Sequence, residues 1–224
     1  MSPSRYRYLH GVRAAVVILA AGSGARVGGH ENKVFLPLGG QTILEWSIAT
    51  MRACRFVEEV VVACRPQDRR RVEGLGVETV AGGPSRHLSE SNGIEAVAAF
   101  GTDVIAVHDG ARPLATPALT EAVLVRAHEA GGAVPWLTLG VPVFCAGSML
   151  DPASHVRVQT PQAFRAGPLI EAFRRANEAG FEGVDTAETA ERFSDLEIAL
   201  VPGEPANLKI TYPEDLARAE RSLR

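Results

Sequence analysis

The sequence predicts an α/β fold: a mainly parallel sheet with helices on both faces. Three observations carry that expectation. Short runs rich in Val and Ile alternate with longer amphipathic stretches. Helix boundaries are marked by residue type, most clearly where Thr116 precedes Pro117 and Gly131-Gly132 follows the stretch. The first apolar run also opens directly into a glycine-rich turn, Gly22-Ser23-Gly24. Strands alternating with helices imply βαβ units with right-handed crossovers, and such sheets collect ligands beyond the carboxyl ends of their strands.

Taken in order, the apolar runs at 14–19, 59–63, 77–81, 104–107 and 133–137 read as buried strands. Helices are expected between them at 42–54, 67–73, 89–100 and 117–129. Beyond residue 137 the alternation weakens, and 138–154 is rich in Gly, Pro and small apolar residues, an excursion from the sheet. Regularity returns with helices at 166–179 and about 186–193, a strand at 197–201, and a closing helix from Pro213. There is no internal repeat or convincing linker. Residues 14–224 therefore read as one domain behind a flexible leader, 1–13, with a reduced arm around 138–158.

Composition removes several classes of function. With 46% hydrophobic residues in 224, the chain suits a globular protein and not a largely disordered one. A formal net charge of -3 supplies no global field toward nucleic acid or an anionic membrane, so neither partner is expected and any anion site must be local. The apolar run 14–21 is far shorter than the ~20 residues a spanning helix needs. The leader lacks the apolar segment of a signal peptide. Cys54, Cys64 and Cys145 lack C-x-x-C spacing and read as reduced thiols of a cytoplasmic protein.

The glycine-rich turn invites a phosphate-site reading, because small residues let backbone N–H groups approach a polyphosphate. A P-loop fails: Gly24 and Gly29 have the spacing, but His30 and Glu31 follow where Lys and Ser or Thr are needed. A dinucleotide fingerprint fails too, since Val27 takes the third glycine position and the next helix signal comes only near Thr42. A third pattern holds: L-A-A-G-x-G-x-R ending at Arg26, then Lys33 and Leu36-Pro37-Leu38-Gly39, a long loop with two cations to wrap a triphosphate. Taken by itself, the loop also fits a glycine turn carrying two solvated cations.

That arrangement resembles the sugar-nucleotide and polyol-phosphate nucleotidyltransferases, whose cores are modified doubly wound sheets. Further segments narrow the resemblance. Gly82-Gly83-x-x-Arg86-x-x-Ser89, His108-Asp109-Gly110-Ala111-Arg112-Pro113, Gln159-Thr160-Pro161-Gln162-Ala163-Phe164 and Asn207-Leu208-Lys209-Ile210-Thr211 follow in that order. Together they resemble the 2-C-methyl-D-erythritol 4-phosphate cytidylyltransferase family, of which the ribitol phosphate cytidylyltransferases are close relatives. The resemblance covers about 16–223.

The resemblance implies attack by an acceptor phosphate on the α-phosphorus of CTP, releasing pyrophosphate, with Mg2+ on the triphosphate. It assigns Arg26, Lys33 and Lys209 to the phosphates as the catalytic cations. Ala20, Ala21, Gly22 and Gly24 would line the nucleotide, Gly83 and Ser89 would read the cytosine, and Asp109 would serve both the ribose and the acceptor side. The resemblance assigns Arg112 to the acceptor side or to the charge balance of the site; a buried Asp109–Arg112 pair fixing a turn is the competing reading. Arg86 either positions the base-reading turn or caps the following helix. His30, His87 and His108 have no metal-ligand spacing and read as loop or packing residues. The 159–162 segment reads as a structural turn, and Asp185 and Glu188 as a family acidic stretch or a solvated helix start.

The acceptor motifs depart from the family. Where D-T-x-K is expected, the sequence has Gly140, Val141 and Val143, and the Arg of a D-R pair falls on Pro152 after Asp151. Arg157 is the shifted candidate for the missing cation. Methylerythritol phosphate is the expected acceptor, with another polyol phosphate such as ribitol 5-phosphate, or a non-catalytic nucleotide-binding relative, as alternatives. Pro84 lacks an N–H to offer a base. A homodimer is implied by resemblance, although the arm that such subunits exchange is short here.

Overall fold

The computed structural model describes residues 11–22, 31–145 and 147–223. Strand β1 (Ala14–Ala20) is followed along the chain by a 3-10 turn (Lys33–Phe35) and a small hairpin, β2 (Pro37–Leu38) with β3 (Gln41–Thr42). Then come α1 (Ile43–Arg52), β4 (Val57–Cys64), α2 (Arg69–Glu73), β5 (Glu78–Ala81), α3 (Arg86–Ala98), β6 (Val104–Asp109) and α4 (Pro117–Ala130). The second half holds β7 (Gly131–Thr138), β8 (Val143–Cys145), β9 (Ser148–Leu150), β10 (Val156–Val158), β11 (Gln162–Arg165), α5 (Ala166–Glu178), α6 (Thr186–Phe193), β12 (Glu197–Pro202) and α7 (Pro213–Ser222).

The main sheet runs β5–β4–β1–β6–β11–β7–β12, with β10 continuing the edge of β11 along β7. Pairings β4–β5, β1–β4, β1–β6 and β7–β12 are parallel; those of β10 and β11 are antiparallel. The sheet is thus mixed and mostly parallel, as expected. β1 shows why helices cover both faces. Val16 and Ile18 pack on one side with Leu44 and Met51 of α1 and Val123 and Leu124 of α4. Ala15 and Val17 pack on the other with Ile94 of α3, Leu169 and Phe173 of α5 and Ala190 of α6. Each fully buried branched side chain contributes about 1.5–3 kcal/mol of transfer free energy.

Local signals agree with the packing. Thr42 and Glu45 form a capping box on α1. Thr116 accepts from the Leu119 N–H, Pro117 occupies the first turn of α4, and Gly131 ends it with φ 122.

In the arm expected around 138–158, Val143–Cys145 and Ser148–Leu150 pair as the β8–β9 hairpin, and 156–158 pair with β7. Two readings change. The strand at Gln162–Arg165 had no periodic signal, because pairing with β6 and β7 decides it rather than its own composition. Residues 11–13, assigned to the leader, are tied down where described: Val12 is buried, and Arg13 pairs with Glu58 at 2.9 Å and donates from its backbone to Asp103.

Candidate active site

The parallel strands β1, β4, β5 and β6 end together, at Ala20, Cys64, Ala81 and Asp109. A cavity of about 400 Å³ opens just beyond them. Ala20, Ala21 and Gly22 line it from the end of β1, and Lys33 lines it from the 3-10 turn. Lys33 is set there by its neighbour. The buried Asn32 side chain donates to the Ala20 carbonyl at 2.7 Å and to Asp68 Oδ2 at 3.2 Å, while its Oδ1 accepts from the Val34 N–H at 3.3 Å. Arg65 grips the same Asp68 through Nε at 2.6 Å and Nη2 at 3.0 Å. The far side of the glycine loop is therefore anchored to β1 and to the turn after β4. Gly24 and Arg26 lie outside the described residues.

The second wall is the turn between β5 and α3. A Cβ on Gly82 would stand 2.3 Å from Ala21 Cβ, so only glycine lets this turn meet the first loop. The Gly83 N–H donates to Ser89 Oγ at 3.0 Å, and that hydroxyl donates to the Ser85 carbonyl at 2.8 Å. Ser89, expected to face the base, lines the cavity with its hydroxyl engaged inside the turn, and thus shapes the wall. Ser85, not Arg86, caps α3, accepting from the Leu88 N–H; Arg86 lines the cavity instead. Pro84 lines the same wall.

Electrostatics centre on the buried Asp109 at the end of β6. Lys209 Nζ lies 3.0 Å from its Oδ2, Arg112 Nε 3.3 Å from the same oxygen, and Arg86 Nη2 3.5 Å from Oδ1. Burial raises the cost of its charge, but Lys209, Arg86 and Arg112 outweigh that and hold the carboxyl well below its usual range. It is ionised at neutral pH. Burial pushes neighbouring His108 down to about 4, so that ring stays neutral, in keeping with a packing role. His87 stacks on Phe173 with centroids 4.9 Å apart, and His30 lies outside the described residues.

Lys209 comes from far along the chain, and a polar mesh docks its loop. Arg112 Nη1 donates to the Asn207 carbonyl at 2.9 Å, and Asn207 Nδ2 to the Thr160 carbonyl at 2.9 Å. The Asp109 N–H donates to Thr160 Oγ1 at 3.0 Å, Gln159 Nε2 to the Asn207 carbonyl at 3.0 Å, and the Ile210 N–H to the Ala111 carbonyl at 2.8 Å. Segment 159–162 is thus a support behind the site. Arg157 is exposed on β10, yet its charge reaches Arg112 and helps burial lower the Arg112 pKa. Asp185 caps α6, accepting from the Glu188 N–H at 2.9 Å, and also accepts from Gln162 Nε2 at 2.9 Å.

A cavity with small-residue walls, two lysines in its lining and a cation-bound carboxylate suits a polyphosphate. Residues 14–224 match the family model described as IspD: 2-C-methyl-D-erythritol 4-phosphate cytidylyltransferase. The chain belongs to this family. IspD is a CTP-dependent cytidylyltransferase, a nucleotidyltransferase of isoprenoid precursor synthesis. The chain is similar to the 2-C-methyl-D-erythritol 4-phosphate cytidylyltransferase of Cereibacter sphaeroides strain KD131, 41% identical over 93% of this chain and 96% of that one. The relative of the same name from Thermus thermophilus is 38% identical over 95% and 98%. The crystal structure of a Thermus thermophilus enzyme of that name superposes with a TM-score of 0.81 at 34% identity, covering 94% of this chain and 98% of that one.

Sequence reasoning missed Asn32, which lines the cavity, and Glu90, which pairs with Arg86 behind it. Asn32 carried a faint signal, as a capping-type residue directly before Lys33. Glu90, buried behind Arg86, carried none, because a polar residue on a helix reads as a solvent face.

Proposed function

We propose that this chain transfers CMP from CTP to the phosphate of a small polyol phosphate, 2-C-methyl-D-erythritol 4-phosphate first among them, releasing pyrophosphate. The observation that carries the reading is the Lys33 and Lys209 pair lining one cavity with Asp109 at the carboxyl end of the parallel strands. An acceptor phosphate oxygen bonds to the α-phosphorus, the bond to the bridging oxygen breaks, and its electron pair leaves with pyrophosphate. A phosphomonoester is largely dianionic at neutral pH, its second pKa being near ~6, so no general base is required. The task is to hold two anions together and to stabilise the charge that spreads as they react.

In this reading Lys33, Lys209 and Arg26 take the phosphates. Ala20, Ala21, Gly22 and Gly24 line the nucleotide, and the turn of Gly83 and Ser89 receives the base. Asp109 orients Lys209 and Arg112 besides facing the ribose and acceptor. Asp109 brings a carboxylate to the cavity lining. That donor fits Mg2+, which keeps waters and binds nucleotide phosphates with few protein carboxylates. The triphosphate would hold the ion with Asp109 as the nearby carboxylate, and the ion when bound supplies charge neutralisation on the phosphate oxygens.

Arg112 and Arg157, two cations within electrostatic reach of each other, are the proposed acceptor-phosphate side. The stretch with Gly140, Val141 and Val143 brings no charge of its own, and this favours ribitol 5-phosphate or a related polyol phosphate as the second reading. The arm exposes Val141, Phe144 and Met149, which supports a homodimer joined there. No described helix is long and apolar enough to cross a membrane, and the free Cys54, Cys64 and Cys145 suit the reducing cytoplasm.

Pyrophosphate release with CTP and magnesium across methylerythritol, ribitol and glycerol phosphates tests the reading. Turnover with methylerythritol phosphate supports the first acceptor, and turnover with another phosphate alone supports the second. CTP binding without turnover of any acceptor refutes the enzymatic reading.

A further inference from the structure

Behind the cavity wall stands a carboxylate that the proposed chemistry does not use. Glu90, early in α3, is fully buried. Its Oε1 accepts from Arg86 Nη1 at 2.6 Å and from Thr186 Oγ1 at 2.5 Å, while Oε2 meets no hydrogen-bond partner among the described residues. Arg86 itself lines the cavity, reaches Asp109 Oδ1 at 3.5 Å and donates to the Val184 carbonyl at 3.4 Å. We propose that Glu90 is a positioning residue for cytidylyl transfer, clamping the Arg86 guanidinium so that it faces the nucleotide cavity and shares the charge of Asp109.

The geometry supplies the first argument. An Arg side chain has several rotatable bonds, and one long contact to Asp109 does not fix its plane. The short charge-assisted bond from Nη1 to Glu90 does, and Thr186 holds the same carboxylate oxygen from α6. The clamp therefore joins α3, α6 and the end of β6 at one cation. Cost supplies the second argument. Burial pushes the Glu90 carboxyl up to about 7, although Arg86 and Thr186 pull it down, and the like charges of Asp109 and Asp185 add to the rise. A side chain that merely filled this place would do so at lower cost without a charge. A buried charge that lowers stability beside a ligand cavity points to work done there.

This inference rests on the cytidylyltransferase reading, so its test includes a readout that needs no turnover. Full-length wild type, Glu90→Gln, Arg86→Ala and the double variant are compared by CTP titration calorimetry, steady-state kinetics and NMR of the Arg86 guanidinium. Glu90→Gln is expected to lower kcat/KM for CTP on the order of tenfold, through lost orientation. It should melt no lower than wild type near neutral pH, which a merely structural role would not allow. In the Arg86→Ala background it should cost nothing further, and its Arg86 N–H signals should average where those of wild type are resolved. Wild-type kcat/KM in Glu90→Gln, or losses that multiply in the double variant, overturn the proposal. If the wild type transfers no cytidylyl group, the functional reading fails on its own account. Glu90 is then judged by the Arg86 signals, and signals unchanged by Glu90→Gln overturn its role.

Discussion

Asp109→Asn isolates the charge at the heart of the site, because the amide keeps the shape and removes only the anion. Lys209, Arg112 and Arg86 then face one another with that counter-charge gone. Stripping one partner from a buried ion pair costs about 3–5 kcal/mol. The Lys209 and Arg86 side chains are 37% and 28% exposed, and water screens part of the stranded charge. A loss of about 2–3 kcal/mol follows after that discount. For a chain of 224 residues this lowers the melting temperature by roughly 5–10 °C. The sign with pH is fixed by the lowered folded-state pKa: the contribution is present above the unfolded value of 3.8 and is lost as pH falls toward the folded one. The gap between wild type and variant in urea unfolding should thus shrink by roughly 1 kcal/mol between about pH 4 and pH 3. Adding CTP with magnesium at neutral pH should also narrow it, since a polyanion pairs the stranded cations. A variant as stable as wild type at neutral pH, or a gap indifferent to acid, would refute this account of the site.

Other perturbations separate the parts. Gly83→Ala places a Cβ 2.4 Å from Leu88 Cβ and 2.9 Å from the Leu88 carbonyl carbon, so the start of α3 must move. CTP affinity by calorimetry should fall about tenfold, with a stability cost of about 1–3 kcal/mol. Glu90 binds its proton more tightly folded than unfolded, so wild-type stability should decline as pH rises from 4.5 to about 7, and urea midpoints of Glu90→Gln should lack that decline. Lys33→Ala should abolish pyrophosphate release while circular dichroism and melting stay near wild type; unchanged turnover would remove Lys33 from the mechanism. Phe144→Asp, on an arm residue 69% exposed, should shift the proposed dimer toward monomer in light scattering and leave the monomer folded.

Most of the sheet was legible because its central strands are apolar on both faces, and β1, β4 and β6 form wherever such runs are buried. β11 was not. Gln162-Ala163-Phe164-Arg165 has no strand period, and its extended form comes from β6 and β7. The start of α3 was misjudged because the helix signals from residue 89 obscured Ser85, the residue that caps it. In the site, Lys33, Asp109 and Lys209 could be picked out because they follow apolar runs or sit in recognisable segments. Asn32 and Glu90 escaped for a common reason. Their partners, Ala20 and Thr186, lie 12 and 96 residues away, and no local pattern encodes such contacts. Ser89 lines the cavity, but the use of its hydroxyl depends on the fold of the Gly83 turn.

The docking of Lys209 has a consequence for how the protein is made. Lys33 leaves the ribosome early, yet Lys209, which lines the same cavity, arrives only after β12, held by bonds from Ile210 to Ala111 and from Arg112 to Asn207. A nascent chain can complete the sequence of β1, β4, β5 and β6, and so one half of the proposed phosphate cradle, long before the other half exists. On the proposed function, catalytic competence then comes in a single late step of synthesis, and a chain cut short before Asn207 would carry Lys33 without Lys209.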